Sequence, residues 1–229
     1  MVEVIGHRGS SKEAPENTLA SSRLAFSEQA DGVEVDVRMT KDGQLVCIHD
    51  KNTLRTTGVE ALIKEKTLAE LKSMDAGQWK GEQWKGEAIP SLQEILEIIP
   101  QGKKIFIEMK EGLHTIDPLI RCIETSNLNT KQISVNSFHQ EVVKKMKQEM
   151  EKITTNLLVF FESNENNTDE GVLNKLLEIG PGFCFLTSPP FRSKSSISFL
   201  YFDSTSPITF SFSGLAGVFN LCCSFFLTL

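Results

Sequence analysis

The sequence predicts an α/β protein, most economically a barrel in which strands alternate with helices. Two observations point there. Short runs rich in Val and Ile alternate with amphipathic helical runs up to about residue 180, and a length of 229 residues is about what one such barrel needs. A third observation limits the prediction. The composition changes from about Pro181 onward, so the barrel is expected to be incomplete at its C-terminal end.

Taken in order, Val2–Gly6 reads as a strand, and Asn17 or Thr18 can cap a helix running to about Gln29. Val33–Met39 is a second strand, and Lys41-Asp42-Gly43 turns the chain into Leu45–His49. Residues 54–90 form a polar insertion with two copies of Gln-Trp-Lys-Gly-Glu, at 78–82 and 83–87, expected to pack as a subdomain rather than act as a lid. Helices are predicted at 91–98, 115–126, 139–150 and 169–179, and strands at 104–109, 132–136 and 154–160. The barrel unit is therefore expected over residues 1–187 and an atypical tail over 188–229. Ten of the fifteen phenylalanines lie at 183 or beyond, and Arg192, Lys194 and Asp203 are the only charges after Pro189. That tail has neither helical nor strand periodicity.

A net charge of −6 excludes a general nucleic-acid binder, which needs an excess of phosphate-neutralising cations. Five cysteines without framework spacing argue for a reducing compartment and against a zinc module. No basic stretch followed by an apolar run precedes the first strand, so a cytoplasmic location is expected. Ser213–Leu229 is uncharged, but its 17 residues are short for a membrane span and carry no basic flank.

The candidate chemistry collects at strand ends. His7-Arg8-Gly9 follows the first strand, where barrels place active-site loops. Glu34 and Asp36 are two apart on one strand and share a side. Carboxylates that close repel unless a proton or cation lies between them, and a hard divalent ion such as Mg²⁺ or Ca²⁺ suits such oxygen ligands. Glu108 and Lys110 repeat the spacing, so one acid can complete the metal site while the cation meets a phosphate oxygen. An isolated Glu108 within Ile105-Phe106-Ile107-Glu108-Met109 would be costly to bury, which favours a functional placement. With Asp42-Gly43 as a two-residue hairpin loop, facing residue numbers sum to 85 and His49 lies opposite Asp36, about 5 Å away at Cβ. His114 and His139 read as surface or helix-start residues, and Cys47 as a small packed thiol.

Together these residues resemble the glycerophosphodiester phosphodiesterase family. The matching segments are Gly6-His7-Arg8-Gly9, Pro15-Glu16-Asn17-Thr18 and Gly32 to Val37, followed by Thr40-Lys41-Asp42-Gly43 and Ile48-His49-Asp50. Arg55-Thr56-Thr57-Gly58, Ile107-Glu108-Met109-Lys110 and Ser137-Phe138 continue the pattern, which covers roughly residues 2–180. The resemblance implies a TIM-type barrel and a hydrolase that cuts glycerophosphodiesters into glycerol 3-phosphate and an alcohol. It further implies Glu34, Asp36 and Glu108 as ligands of one divalent metal, Mg²⁺ or Ca²⁺. His7 and His49 become the general acid and base pair, and Arg8 and Lys110 the phosphate-binding cations. The family's closing strands, with Trp-Thr-Val-Asn-like and Thr-Asp-x-Pro-like runs, have no counterpart in the tail. Two further readings follow from that departure: a catalytically dead or unstable truncated barrel, and lysophospholipase D-type action at a membrane.

Overall fold

The computed structural model describes residues 3–161, with side chains to Leu158, and the backbone of two later strands, Phe183–Thr187 and Ser198–Phe202. The predicted helix at 169–179, most of the tail and Ser213–Leu229 lie outside the described residues. Among the described residues, no helix is long and apolar enough to cross a membrane.

The elements are β1 (Ile5–His7), α1 (Leu19–Ser27), β2 (Gly32–Met39), β3 (Leu45–Cys47), α2 (Leu54–Thr57), α3 (Leu68–Lys72) and α4 (Leu92–Ile98). They continue with β4 (Lys104–Met109), α5 (Ile116–Thr125), β5 (Ile133–Ser137), α6 (Gln140–Glu149), β6 (Thr154–Phe161), β7 (Phe183–Thr187) and β8 (Ser198–Phe202). The strand order is β1-β2-β4-β5-β6-β7-β8, with β3 paired to β2 outside that path. Strands β1 to β7 along that path run parallel, as alternating helices require, and this is the β/α architecture expected from the sequence. At the C-terminal end β8 turns back antiparallel to β7, and among the described residues no pairing joins it to β1.

Strand alternation sorts the side chains into two environments. Val33, Val35 and Val37 of β2, with Ile105, Ile107 and Met109 of β4, pack in one large core with Leu92, Ile95, Leu119 and Met146 of the surrounding helices. The intervening positions face the barrel interior. Its apolar floor is Ile5, Phe106 and Leu158, with Phe138 packed against them. Ser- and Thr-led capping boxes start three of the helices: Thr18 caps α1, Thr67 caps α3 and Ser91 caps α4. Each stabilises its helix by about 1 kcal/mol. Ile63, Leu71, Ala76 and Ile89 of the insertion form a small core with Val46 and Ile48 of the β3 segment. The insertion is fastened to the β1–α1 loop by Lys80 Nζ on the Ser11 carbonyl at 2.8 Å and Trp84 Nε1 on the Glu13 carbonyl at 3.1 Å.

The hairpin register differs from the one expected. Val37 pairs with Cys47, Arg38 with Val46 and Met39 with Leu45, so the numbers sum to 84 and His49 does not face Asp36. The loop has three residues, Lys41-Asp42-Gly43, closed by the Thr40 N–H to the Gln44 carbonyl at 2.9 Å. A two-residue type I′ turn needs positive φ at both Asp42 and Gly43, but only Gly43 has it, at +74°. The Thr40 hydroxyl donates to Asp42 Oδ1 and accepts from the Gln44 N–H, which fixes the longer loop. Its last ladder bond is the Ile48 N–H to the Asp36 carbonyl at 2.9 Å, and the chain then leaves the sheet.

This loop makes a specific prediction. Gly43→Val should cost about 1–2 kcal/mol for forcing a branched residue into the left-handed region. Asp42→Gly should destabilise as well, by its lost side-chain bonds and its added chain entropy. Urea unfolding of both variants checks this, and a stabilising Asp42→Gly would restore the two-residue loop.

Candidate active site

The site lies at the C-terminal ends of β1, β2 and β4, where parallel strands deliver their loops. Gly32 to Val37 of β2 run in register with Lys104 to Met109 of β4, which sets Asp36 beside Glu108. Glu34 lies one inward position below, beside His7 of β1. Ligand atoms of Glu34, Asp36 and Glu108 all fall within 4.8 Å of one another, and all three residues are buried. Two cations hold this cluster together. Lys110 Nζ is 2.8 Å from Asp36 Oδ1 and 2.5 Å from Glu108 Oε1, and Arg8 Nε is 2.9 Å from Asp36 Oδ2.

The balance among these charges is uneven. Burial works to raise the Asp36 pKa, but Arg8 and Lys110 outweigh it and hold the carboxyl at about 2. Glu34 goes the other way: burial first, then the charges of Asp36 and Glu108, push it well above the usual range. Burial and Asp36 also raise Glu108. Three carboxylates against two cations leave one negative charge, and Glu34 is where it is least compensated. Its Oε2 accepts the Arg8 backbone N–H at 3.1 Å, while its Oε1 is buried without a hydrogen-bond partner. An orphaned carboxylate oxygen among oxygen ligands suits a hard divalent cation, so the residues present fit the ion.

The β1–α1 loop builds the near side. Arg8 sits at φ +57°, a strained setting for a residue with a side chain, and Gly9 follows at +78°. A Cβ on Gly9 would lie 2.5 Å from Ser21, so the loop presses directly on α1. The Arg8 carbonyl accepts the Asn17 N–H and the Ser21 hydroxyl, each at 3.0 Å, which holds the strained turn in place. Asn17, also left-handed at +58°, binds Asp36 twice: its Nδ2 donates to Asp36 Oδ2 at 2.9 Å and its Oδ1 accepts the Asp36 N–H at 3.0 Å.

The histidines occupy different settings. His7 Nε2 stands 3.8 Å from Glu34 Oε2, and burial followed by the Arg8 charge depresses its pKa to about 4. His49 arrives by another route than the register argument supposed. Arg38 Nε donates to the His49 carbonyl at 2.8 Å, and Asp50 Oδ1 lies 2.8 Å from His49 Nδ1. Its pKa is also lowered, by burial, with Asp36 and the Asp50 bond opposing. A carboxylate only accepts, so Nδ1 carries the hydrogen and Nε2 is left as a base.

The structure thus brings Arg8, Glu34, Asp36, Glu108 and Lys110 into direct contact, with His7 at the edge and His49 within the field of Asp36. His114 and His139 pair with surface glutamates, and Cys47 is packed in the core. Sequence reasoning assigned no site role to Asn17, Glu16, Asp50 or Arg55. Of these only Asp50 adjoins a residue already singled out, His49, while Glu16, Asn17 and Arg55 stand in the segments that carried the family resemblance.

The profile of the Glycerophosphoryl diester phosphodiesterase family matches residues 7–178. The chain belongs to that family. A glycerophosphodiester phosphodiesterase of Caldanaerobacter subterraneus is 45% identical over 152 residues, which covers 62% of each chain. One from Bacillus subtilis is 31% identical over 197 residues, or 78% of this chain and 67% of that protein. Among solved structures, an Oleispira antarctica phosphodiesterase in complex with the product sn-glycerol-3-phosphate superposes with a TM-score of 0.67 at 30% identity, covering 82% of this chain and 84% of that one. The chain spans less than two thirds of the Caldanaerobacter relative's length. The β/α barrel is the fold of this family, and the described strands supply the part of it that carries the motifs quoted above.

Asn17 gives a prediction. Asn17→Gly and Asn17→Ala each remove both bonds to buried Asp36 and should cost about 1–3 kcal/mol in chemical denaturation. Ala should cost about 1 kcal/mol more than Gly, because it also keeps a side chain at positive φ.

Proposed function

We propose that this chain hydrolyses glycerophosphodiesters to glycerol 3-phosphate and an alcohol with the help of one divalent metal ion, Mg²⁺ or Ca²⁺. The observation that carries this reading is the Glu34, Asp36 and Glu108 cluster with Arg8 and Lys110 against it, in a member of this family. The glycerol 3-phosphate product in the Oleispira relative supports the substrate class.

Glu34, Asp36 and Glu108 would hold the ion, which supplies charge stabilisation at the phosphoryl oxygens. Its two positive charges turn the cluster's single negative charge into a single positive one, matched to a phosphodiester monoanion. Arg8 and Lys110, already fixed by Asp36 and Glu108, add donors for the remaining phosphate oxygens. His7 and His49 form the acid and base pair. Burial lowers both pKa values, so a neutral ring is available as base for the attacking hydroxyl, and the other ring gives its proton to the leaving alkoxide from its protonated form. The two exchange roles when water opens the cyclic phosphate, which restores the starting protonation. The attacking group in this scheme is the substrate's own neighbouring glycerol hydroxyl, giving a cyclic phosphate that water then opens.

Release of glycerol 3-phosphate from glycerophosphocholine by the purified chain should require Mg²⁺ or Ca²⁺ and stop in EDTA. Glu34→Ala should lower kcat at least about 100-fold with the fold intact by circular dichroism. Release that persists in EDTA, or in a folded Glu34→Ala variant, would contradict the assignment.

A further inference from the structure

We propose that Arg55 is a positioning residue for this site, acting through Glu16 on Arg8 and through Asp50 on His49. The inference rests on the function proposed above for its kinetic consequences, though not for its structural ones.

Arg55 opens the insertion, in the four-residue helix α2, and its guanidinium is committed on three sides. Nη1 and Nη2 donate to Glu16 Oε2 and Oε1 at 2.8 and 2.7 Å, and Nε donates to Asp50 Oδ2 at 2.6 Å. Each carboxylate then reaches a proposed catalytic group with an oxygen facing inward. Glu16 Oε1 accepts Arg8 Nη1 at 3.0 Å, and Asp50 Oδ1 takes His49 Nδ1 at 2.8 Å. An unbroken chain therefore runs from Arg8 through Glu16, Arg55 and Asp50 to His49.

Two features separate positioning from fold support. The Arg55 side chain is 43% exposed, so removing it opens no core. Its contacts are with the two carboxylates that touch Arg8 and His49, whereas Arg38 binds the His49 backbone carbonyl and Glu111, which lies outside that chain. A lysine cannot replace it, because one ammonium lacks the planar fork that meets two carboxylates at once. Without Arg55, Glu16 would draw Arg8 away from the phosphate, since Arg8 would be its only cation. Glu16 and Asp50 would also repel each other across the gap, turning Asp50 off the His49 ring. Loss of Arg55 thus acts on both arms: on Arg8, which sets substrate affinity, and on His49, which sets turnover.

The test uses the full chain and Arg55→Met, Arg55→Lys, Asp50→Asn and Arg55→Met/Asp50→Asn. With glycerophosphocholine, both Arg55 variants should lose kcat on the order of 10–100-fold, as loss of residues that orient directly acting groups does. KM should rise in Arg55→Met, and Tm should fall by no more than about 2 °C. The double variant should be no more than about twofold slower than the slower single one, because both act on the same link. Imidazole nitrogen NMR, which needs no turnover, should show His49 as one tautomer protonated at Nδ1 in the unmodified chain, and as a mixture in Arg55→Met. Arg55→Met that keeps normal kcat and KM, losses that multiply in the double variant, or a large fall in Tm would overturn the proposal. So would an unchanged His49 tautomer. If the unmodified chain itself turns over nothing, the functional reading fails, and the tautomer result alone decides the role of Arg55.

Discussion

A single buried carboxylate organises this structure. Asp36 has no solvent exposure, yet it stays ionised because Arg8, Lys110 and Asn17 converge on its two oxygens. Removing a carboxylate from water costs several kcal/mol unless its partners are held in place beforehand. Those partners come from two segments other than β2, which carries Asp36: the β1–α1 loop supplies Arg8 and Asn17, and Lys110 directly follows β4. Satisfying Asp36 therefore closes the loops over the strand ends. The strained backbone at Arg8 and Asn17 serves the same need, since this turn brings both side chains onto Asp36.

Because the cations are spent on Asp36, the neighbouring acids are left short of positive charge. Glu34 bears most of the deficit: burial, then the charges of Asp36 and Glu108, push its pKa well above the usual carboxylate range. Electrostatics thus distinguishes three acids that look equivalent on paper: Asp36 is held low by Arg8 and Lys110, Glu108 is raised but paired with Lys110, and Glu34 is raised well above the usual range. That asymmetry is what a site needs if it is to take up a divalent ion and then a phosphodiester without accumulating charge.

Much of this was legible in the sequence, for physical reasons. The Val33, Val35 and Val37 alternation fixes one face of β2 to the helices, so Glu34 and Asp36 had to share the other. The Ile105 to Met109 run does the same for Glu108. The register of His49 was not legible, because Lys41-Asp42-Gly43 can close either a two- or a three-residue loop, and a hydroxyl bond from Thr40 decides between them. The outer chain of Glu16, Arg55 and Asp50 was also hidden. Its residues lie up to 39 positions apart, and no local period brings them together.

The most direct test of this charge account is thermal unfolding of the full chain in EDTA against saturating Mg²⁺ or Ca²⁺. An ion at about 100 times its Kd adds about 2.7 kcal/mol, which for a chain of this size raises Tm by several degrees. The account predicts that rise in the unmodified chain and its loss in Glu34→Gln. An identical Tm with and without metal would contradict it, because the Glu34, Asp36 and Glu108 cluster would then show no need of a divalent ion.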